Sequence, residues 1–394
     1  MIKKIKFLPK LNLTLMILIL VVLVNALSYS VIMPLLYPFA LKYGLTKQMV
    51  GILFATFSFF QLIATPIIGR LSDRFGRKPL LTLSLLGTSV SLFIFALAPS
   101  TWVLFLARAL DGVTGGNMSV AQAVISDLYP PKKRAKLFGV LGGTWGVSFL
   151  IGPVIGGLLS RFGLTTPFFF SAFLALVSAL MALLFLPETR GLSKNNISVS
   201  FDRSKVLSFV KNPFVLGLLL VSFISAATTN MLMVALQIIG VDRFSLTPEH
   251  LAYLMVVLGL SQIFMQLYGI GWWLRRWPDK VKFLEIGLYL QTFSLFLAGF
   301  MFNLWWFVGF LTLFQIGFAP MRPLTAGLLS EEAHDDYQGV ALGINQSILS
   351  LGRVVGPLLA GFLVSISFKL PLFVSAAISF CLAMVMLVLS RRRN

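Results

Sequence analysis

Two ionisable side chains inside an apolar run offer the first chemistry: Arg108 and Asp111, in Arg108-Ala109-Leu110-Asp111-Gly112-Val113-Thr114-Gly115-Gly116. Three positions apart, they share one helical face. Counted from Thr101 at 1.5 Å per residue, Asp111 lies about 15 Å deep, the middle of a bilayer core roughly 30 Å thick. A carboxyl group there can take up and release a proton. Arg108 favours its ionised form and desolvation its neutral form, and alternation between the two is what a proton carrier needs. The alternative is a static pair that fixes helix packing. Arg353 stands roughly 22 Å into another apolar run with no acidic partner in sequence, and a guanidinium fork suits carboxylates and phosphates. It could instead snorkel to the interface. Arg322 is less telling, because it falls near the inner end of its run. No enzyme is expected. Cys381, the single cysteine, lies in an apolar run, so it forms no intrachain disulfide, and His250 and His334 sit in polar connections without metal-ligand or triad spacing. No metal, cofactor or nucleotide-binding loop is read.

The elements that must position these groups are membrane helices. With 58% apolar residues, 11% charged residues and a mean hydropathy of +0.92, the chain lies outside the range of soluble domains. Scanning for roughly 20 apolar residues predicts twelve spans, beginning near residues 12, 49, 79, 102, 137, 166, 213, 250, 283, 304, 338 and 369. Pro34 and Pro38 predict a kink in the first. That run, preceded by Lys3, Lys4, Lys6 and Lys10, is read as a retained span over the alternative of a cleaved leader. With both termini inside, the cytoplasmic segments hold 24 of the 32 Lys and Arg residues and the outer segments 5. The net charge of +19 is thus a topology signal and not a nucleic-acid footprint. The inner loop with Glu331, Glu332, Asp335 and Asp336 is the acidic exception.

Residues 190–212, rich in Ser, Asn and Lys, read as a cytoplasmic linker between halves 1–189 and 213–394. The halves echo each other. Adding 204 to Gly139, Gly143, Gly152, Pro153 and Gly157 reaches Gly343, Ser347, Gly356, Pro357 and Gly361. Parallel repeats of this kind place a substrate site at the midplane of a two-bundle carrier.

One loop carries a specific likeness. Gly69-Arg70-Leu71-Ser72-Asp73-Arg74-Phe75-Gly76-Arg77-Lys78-Pro79-Leu80, between spans 2 and 3, resembles the corresponding loop of the major facilitator superfamily. The resemblance covers essentially the whole chain and is strongest to twelve-helix drug:proton antiporters. It implies an all-α membrane protein of two pseudo-symmetric six-helix bundles in a bacterial inner membrane. It also implies, without a cofactor, monomeric export of a small organic molecule against protons. Gly69, Asp73, Arg74, Gly76, Arg77 and Asp127 then form a conformational latch, with Asp73 facing the start of span 11 and Arg77 paired with Asp127. A loop that only holds positive charge inside is the plainer reading. Gly152-Pro153-Val154-Ile155-Gly156-Gly157 resembles the antiporter segment of span 5, with Ser148 where glycine is commoner, and its small residues predict close packing. Arg108 falls where the family's buried arginine assists proton transfer. Thr228 and Ala319 replace membrane carboxylates of some multidrug exporters, leaving Asp111 as the only deep acid, with Glu285 near the inner end of span 9.

Polar side chains in the runs complete a candidate cavity: Asn25, Tyr29, Gln61, Asn117, Asn230, Gln237, Gln262, Asn345 and Arg353. Each is equally interpretable as interhelical glue. Asp111 opposed by two deep arginines keeps an organic-anion carrier open as the alternative substrate class. A membrane receptor or scaffold that has lost transport is the remaining one.

Overall fold

The computed structural model describes residues 13–190, 207, 209–333 and 337–393. The lysines before residue 13, nearly all of the 190–212 connection, and His334, Asp335 and Asp336 lie outside the described residues. Among the described residues, eleven helices are long and apolar enough to cross a membrane: α1 (Leu13–Leu41), α2 (Lys47–Phe75), α3 (Arg77–Ala96), α5 (Pro131–Leu159), α6 (Thr166–Phe185), α7 (Pro213–Phe244), α8 (Pro248–Arg276), α9 (Lys280–Ala298), α10 (Leu304–Glu332), α11 (Gln338–Ile366) and α12 (Leu370–Arg393). The twelfth expected span, α4, is split into Thr101–Thr114 and Asn117–Leu128, each too short to cross alone. It breaks at Gly115-Gly116, where neither residue has a Cβ to hold helical backbone. α10 breaks at the matching place, between Leu304–Phe318 and Met321–Glu332, at Ala319-Pro320. The offset of 204 read in α5 and α11 therefore also relates these two breaks. Within α1, the kink predicted by its prolines is a tight turn at Met33–Leu35.

Broken helices expose carbonyls that lipid cannot satisfy, so neighbours must. Gln61 Nε2 of α2 donates to the Gly115 carbonyl at 3.0 Å, and Ser84 Oγ of α3 to that of Thr114. At the α10 break Gln291 Nε2 of α9 donates to the Gly317 carbonyl at 3.3 Å.

The basic end of the molecule carries the α2–α3 loop and the last turn of α12. Toward it the apolar core divides in two: one cluster contains Leu18, Leu85, Val124 and Leu141, the other Leu218, Leu284, Leu328 and Met386. Toward the opposite end one cluster runs across both halves, from Leu35 and Phe168 to Ile238, Phe307 and Val364. The halves therefore meet at one end and part at the other. Two glycine pairs measure this. Gly51 of α2 lies against Gly361 of α11, so closely that a Cβ on Gly51 would be 2.9 Å from the Gly361 Cα. Gly69 and Gly343 stand five turns, about 27 Å, further along the same two faces, and a side chain at either would meet nothing within 4 Å. α5 behaves alike: Gly157 touches Ala252 of α8, whereas Gly142 and Gly146 on that face are free.

Ion pairs fasten the joined end. Asp242 of α7 accepts from Tyr37 Oη at 2.7 Å and pairs with Lys47 Nζ at 2.9 Å. Glu249 of α8 takes a two-pronged contact from Arg161, at 2.6 and 2.8 Å, and a 2.7 Å hydrogen bond from Tyr253. Gln48 Nε2 donates to Ser365 Oγ at 2.8 Å.

The buried ion pair and the central cavity

Arg108 and Asp111 occupy the first piece of α4, just before its break. They are 2% and 3% exposed, with Arg108 Nη1 3.5 Å from Asp111 Oδ2. The contact is loose, and Arg108 Nε and Nη2 have no hydrogen-bond partner. The guanidinium rests on the rings of Phe95 and Phe57, 5.0 and 5.7 Å from their centroids. Thr88 and Ser91 of α3 supply the hydroxyl neighbours of the Asp111 carboxylate. Behind it, Gly112 lets α4 approach the α2 backbone at Phe57, a place no side chain would fit.

Tyr29 of α1 links this pair to the other half. Its ring lies 5.4 Å from Phe57, 5.8 Å from Trp145 and 6.0 Å from Phe149, and its charged neighbours are Arg108, Asp111 and Arg353. Arg353 shares a face of α11 with Pro357 and Gly361, one and two turns on, the face that meets α2 at the joined end. Its ionisable neighbours are Arg322 and, in the first half, Tyr29, so it turns inward instead of snorkelling. Arg322 stands in the first turn after the α10 break, 18 residues from the start of the span at Leu304, and is exposed. Among the described residues neither arginine has a hydrogen-bond or ion-pair partner.

The remaining expected cavity residues divide. Asn117 and Gln262 stay partly accessible. Asn25 is buried in a crevice of the first half, lined also by Asn117, Leu85 and Trp145. Gln61 is committed to the α4 break, and Asn230 Nδ2 donates to the Ala226 carbonyl at 2.8 Å within its own helix. Gln237 is fully buried and accepts from the Tyr37 amide at 3.2 Å, a contact of the joined end and not of the cavity. Asn345 is buried, on the face of α11 where Gly352 and Gly356 meet α7. Helical spacing alone could not assign these directions.

At the basic end Arg77 gathers Asp73 at 2.5 Å, Asp127 at 2.9 Å and Ser72 Oγ at 2.7 Å. Arg74 lies over the Phe75 ring. Asp73 remains 64% exposed on the parted side, and its ion pair is to Arg77 within its own half. Gly76, at φ 108°, turns the chain between α2 and α3 where L side chains are strained. Glu188 caps α3, accepting from the Arg77 and Lys78 amides at 2.9 and 3.2 Å. Although its partial burial acts upward, backbone N–H groups of Arg190, Arg77, Lys78 and Thr189 hold its carboxyl below the usual range. In α5, Gly152 and Gly156 press on Ser30 and Val31 of α1, and Pro153 is buried beside them. Ser148 stands in place of glycine and donates to the Leu23 carbonyl at 3.2 Å.

Sequence reasoning overlooked Glu188, Gln291 and Gln315. The offset of 204 carries Asp111 onto Gln315, buried with an unpartnered Oε1, and would have found it.

Twelve spans in two matching sets around a charged midplane define a secondary transporter. Residues 18–242 and 218–394 each match the Major Facilitator Superfamily, and the chain belongs to that family of multi-span membrane transporters; it is not an enzyme. It is 29% identical over 373 residues to the class H tetracycline resistance protein of Pasteurella multocida, covering 90% of each chain. To the quinolone resistance protein NorA of Staphylococcus aureus (strain COL) it is 26% identical over 376 residues, covering 93% of this chain and 94% of the relative. Its fold superposes on an inward-facing, unoccupied bacterial homolog of the human lysosomal transporter Spinster with a TM-score of 0.81, at 16% identity and 96% coverage of both chains.

Proposed function

We propose that the protein exports a small organic molecule in exchange for protons across a bacterial inner membrane, as a monomer with both termini cytoplasmic. The basic end is then the cytoplasmic one, and the conformation is inward-open. Transport proceeds by rocking 1–189 against 213–394 around the central site. Asp111 carries the proton. The observation that supports this most is the loose geometry of its pair: an arginine with two unused donors in the membrane interior is costly in a static structure. Those donors become useful if Asp111 is neutral in one state and ionised in the other. The resistance proteins it resembles, for tetracycline and quinolones, support export of drug-like molecules. The Asp73, Arg77 and Asp127 cluster is the inner latch, disengaged here and closing on the α11 N-terminus in the outward-open state.

Substrate-evoked proton movement in liposomes is the test, with panels of lipophilic cations and polycarboxylates. Wild type releases protons on addition of transported compounds, and Asp111→Asn folds but releases none. Full proton movement by Asp111→Asn removes Asp111 from the mechanism.

A further inference from the structure

In the second half two arginines, Arg322 and Arg353, have no acidic partner among the described residues. Arg322 follows the α10 break and is exposed; Arg353 projects from α11 toward the first half, with Arg322 as its charged neighbour. Among the described residues, the acid of this half that lies buried in a span, Glu285, is occupied by Ser390 Oγ at 2.6 Å. Asp111 is sealed in the first half beside its own arginine. Two like charges close together in an apolar bundle are unfavourable until an anion arrives. Guanidinium groups bind oxyanions such as carboxylates, phosphates and sulfonates with two parallel hydrogen bonds each, a geometry water or a halide does not use fully. Tyr29, the neighbour of Arg353 in the first half, joins Trp145 and Phe149 in a cluster of half-buried rings that can take a flat apolar body.

We propose that Arg322 and Arg353 form an anion subsite of the central cavity, and that this subsite selects planar organic anions. The acidic group sits against the two guanidinium groups and the ring system against Tyr29, Trp145 and Phe149. The assignment rests on the transporter reading and names its substrate class. It also gives the α10 break a purpose: starting a new helix at Met321 presents Arg322 from the first turn of a helix.

Permanently charged probes of one shape separate this from proton effects: tritiated 1-naphthalenesulfonate and trimethyl(1-naphthylmethyl)ammonium, in equilibrium dialysis with the full chain in detergent. Wild type is expected to bind the sulfonate at least tenfold more tightly than the ammonium. In Arg322→Gln and Arg353→Gln that ratio falls tenfold or more, and Arg353→Lys, which keeps the charge without the fork, falls between. A wild type that prefers the ammonium, or a ratio unmoved in both glutamine variants, overturns the subsite. The exporter reading stands or falls separately: ammonium-evoked proton release in liposomes without sulfonate binding leaves the exporter and sinks the subsite. Arginine-dependent sulfonate binding with no proton release by any compound does the reverse.

Discussion

At the scale of single residues, the groups proposed to act are polar and incompletely satisfied. Arg108 and Asp111 sit in contact but badly matched, and among the described residues Arg322 and Arg353 have no counter-ion, whereas structural polar groups such as Gln61 and Gln237 are bonded. Gln61→Leu should remove the donor to the Gly115 carbonyl, leave the α4 break unsatisfied, and cost about 1–3 kcal/mol, read as a lower unfolding temperature in detergent. Glu188 supplies a pH dependence. Its folded-state pKa is depressed, so its contribution is complete above the unfolded carboxylate range and disappears as pH falls through the depressed value. Glu188→Gln should therefore lower stability by about 1 kcal/mol at neutral pH and approach wild type in acid, in paired melting curves. A difference that persists in acid would assign the effect to shape and not charge. The candidate pair was legible because an acid and a base inside an apolar run are conspicuous. The partners of Glu188 were not, since the residues it caps lie 111 positions away in sequence.

At the scale of elements, glycine decides how near two helices come. Gly51 and Gly361 cross with backbone in contact, so Gly51→Val must force α2 from α11 at the joined end. Overpacking of this kind costs about 1–3 kcal/mol, paid only in the present conformation, and should shift the population toward the opposite one by roughly 5- to 150-fold. Cysteines introduced on the outer side of a Cys381→Ser background should then label faster with a membrane-impermeant maleimide. Unchanged labelling would mean that this crossing does not govern the equilibrium. The close packing expected of the Gly152-Pro153 segment is present, with α1 as its partner through Gly152 and Gly156. The break in α4 was not anticipated, because its two pieces read as one continuous apolar run and glycine pairs are common in unbroken membrane helices.

At the scale of the whole molecule, Gly51 with Gly361 and Gly69 with Gly343 mark the two ends of one rocking contact between α2 and α11. Gln48→Cys with Ser365→Cys should form a disulfide in the present state, and Gly69→Cys with Gly343→Cys in the alternative one. Each should stop transport until reduced, and locking the first pair should prevent the second from forming, as seen by gel shift. Simultaneous cross-linking of both pairs would rule out rocking about this contact. Membrane residence, the count of apolar runs, the doubling of the chain and the crowding of basic residues at one end were determined by the sequence itself. Each depends on local transfer energies and on a fixed rise of 1.5 Å per residue, which any stretch of chain carries with it. Which polar residues face the cavity, which are spent on helix breaks, and which end of the molecule is closed were decided only by the tertiary structure. The direction of a side chain around its helix acquires meaning only from the neighbours packed against it, and those come from distant parts of the chain.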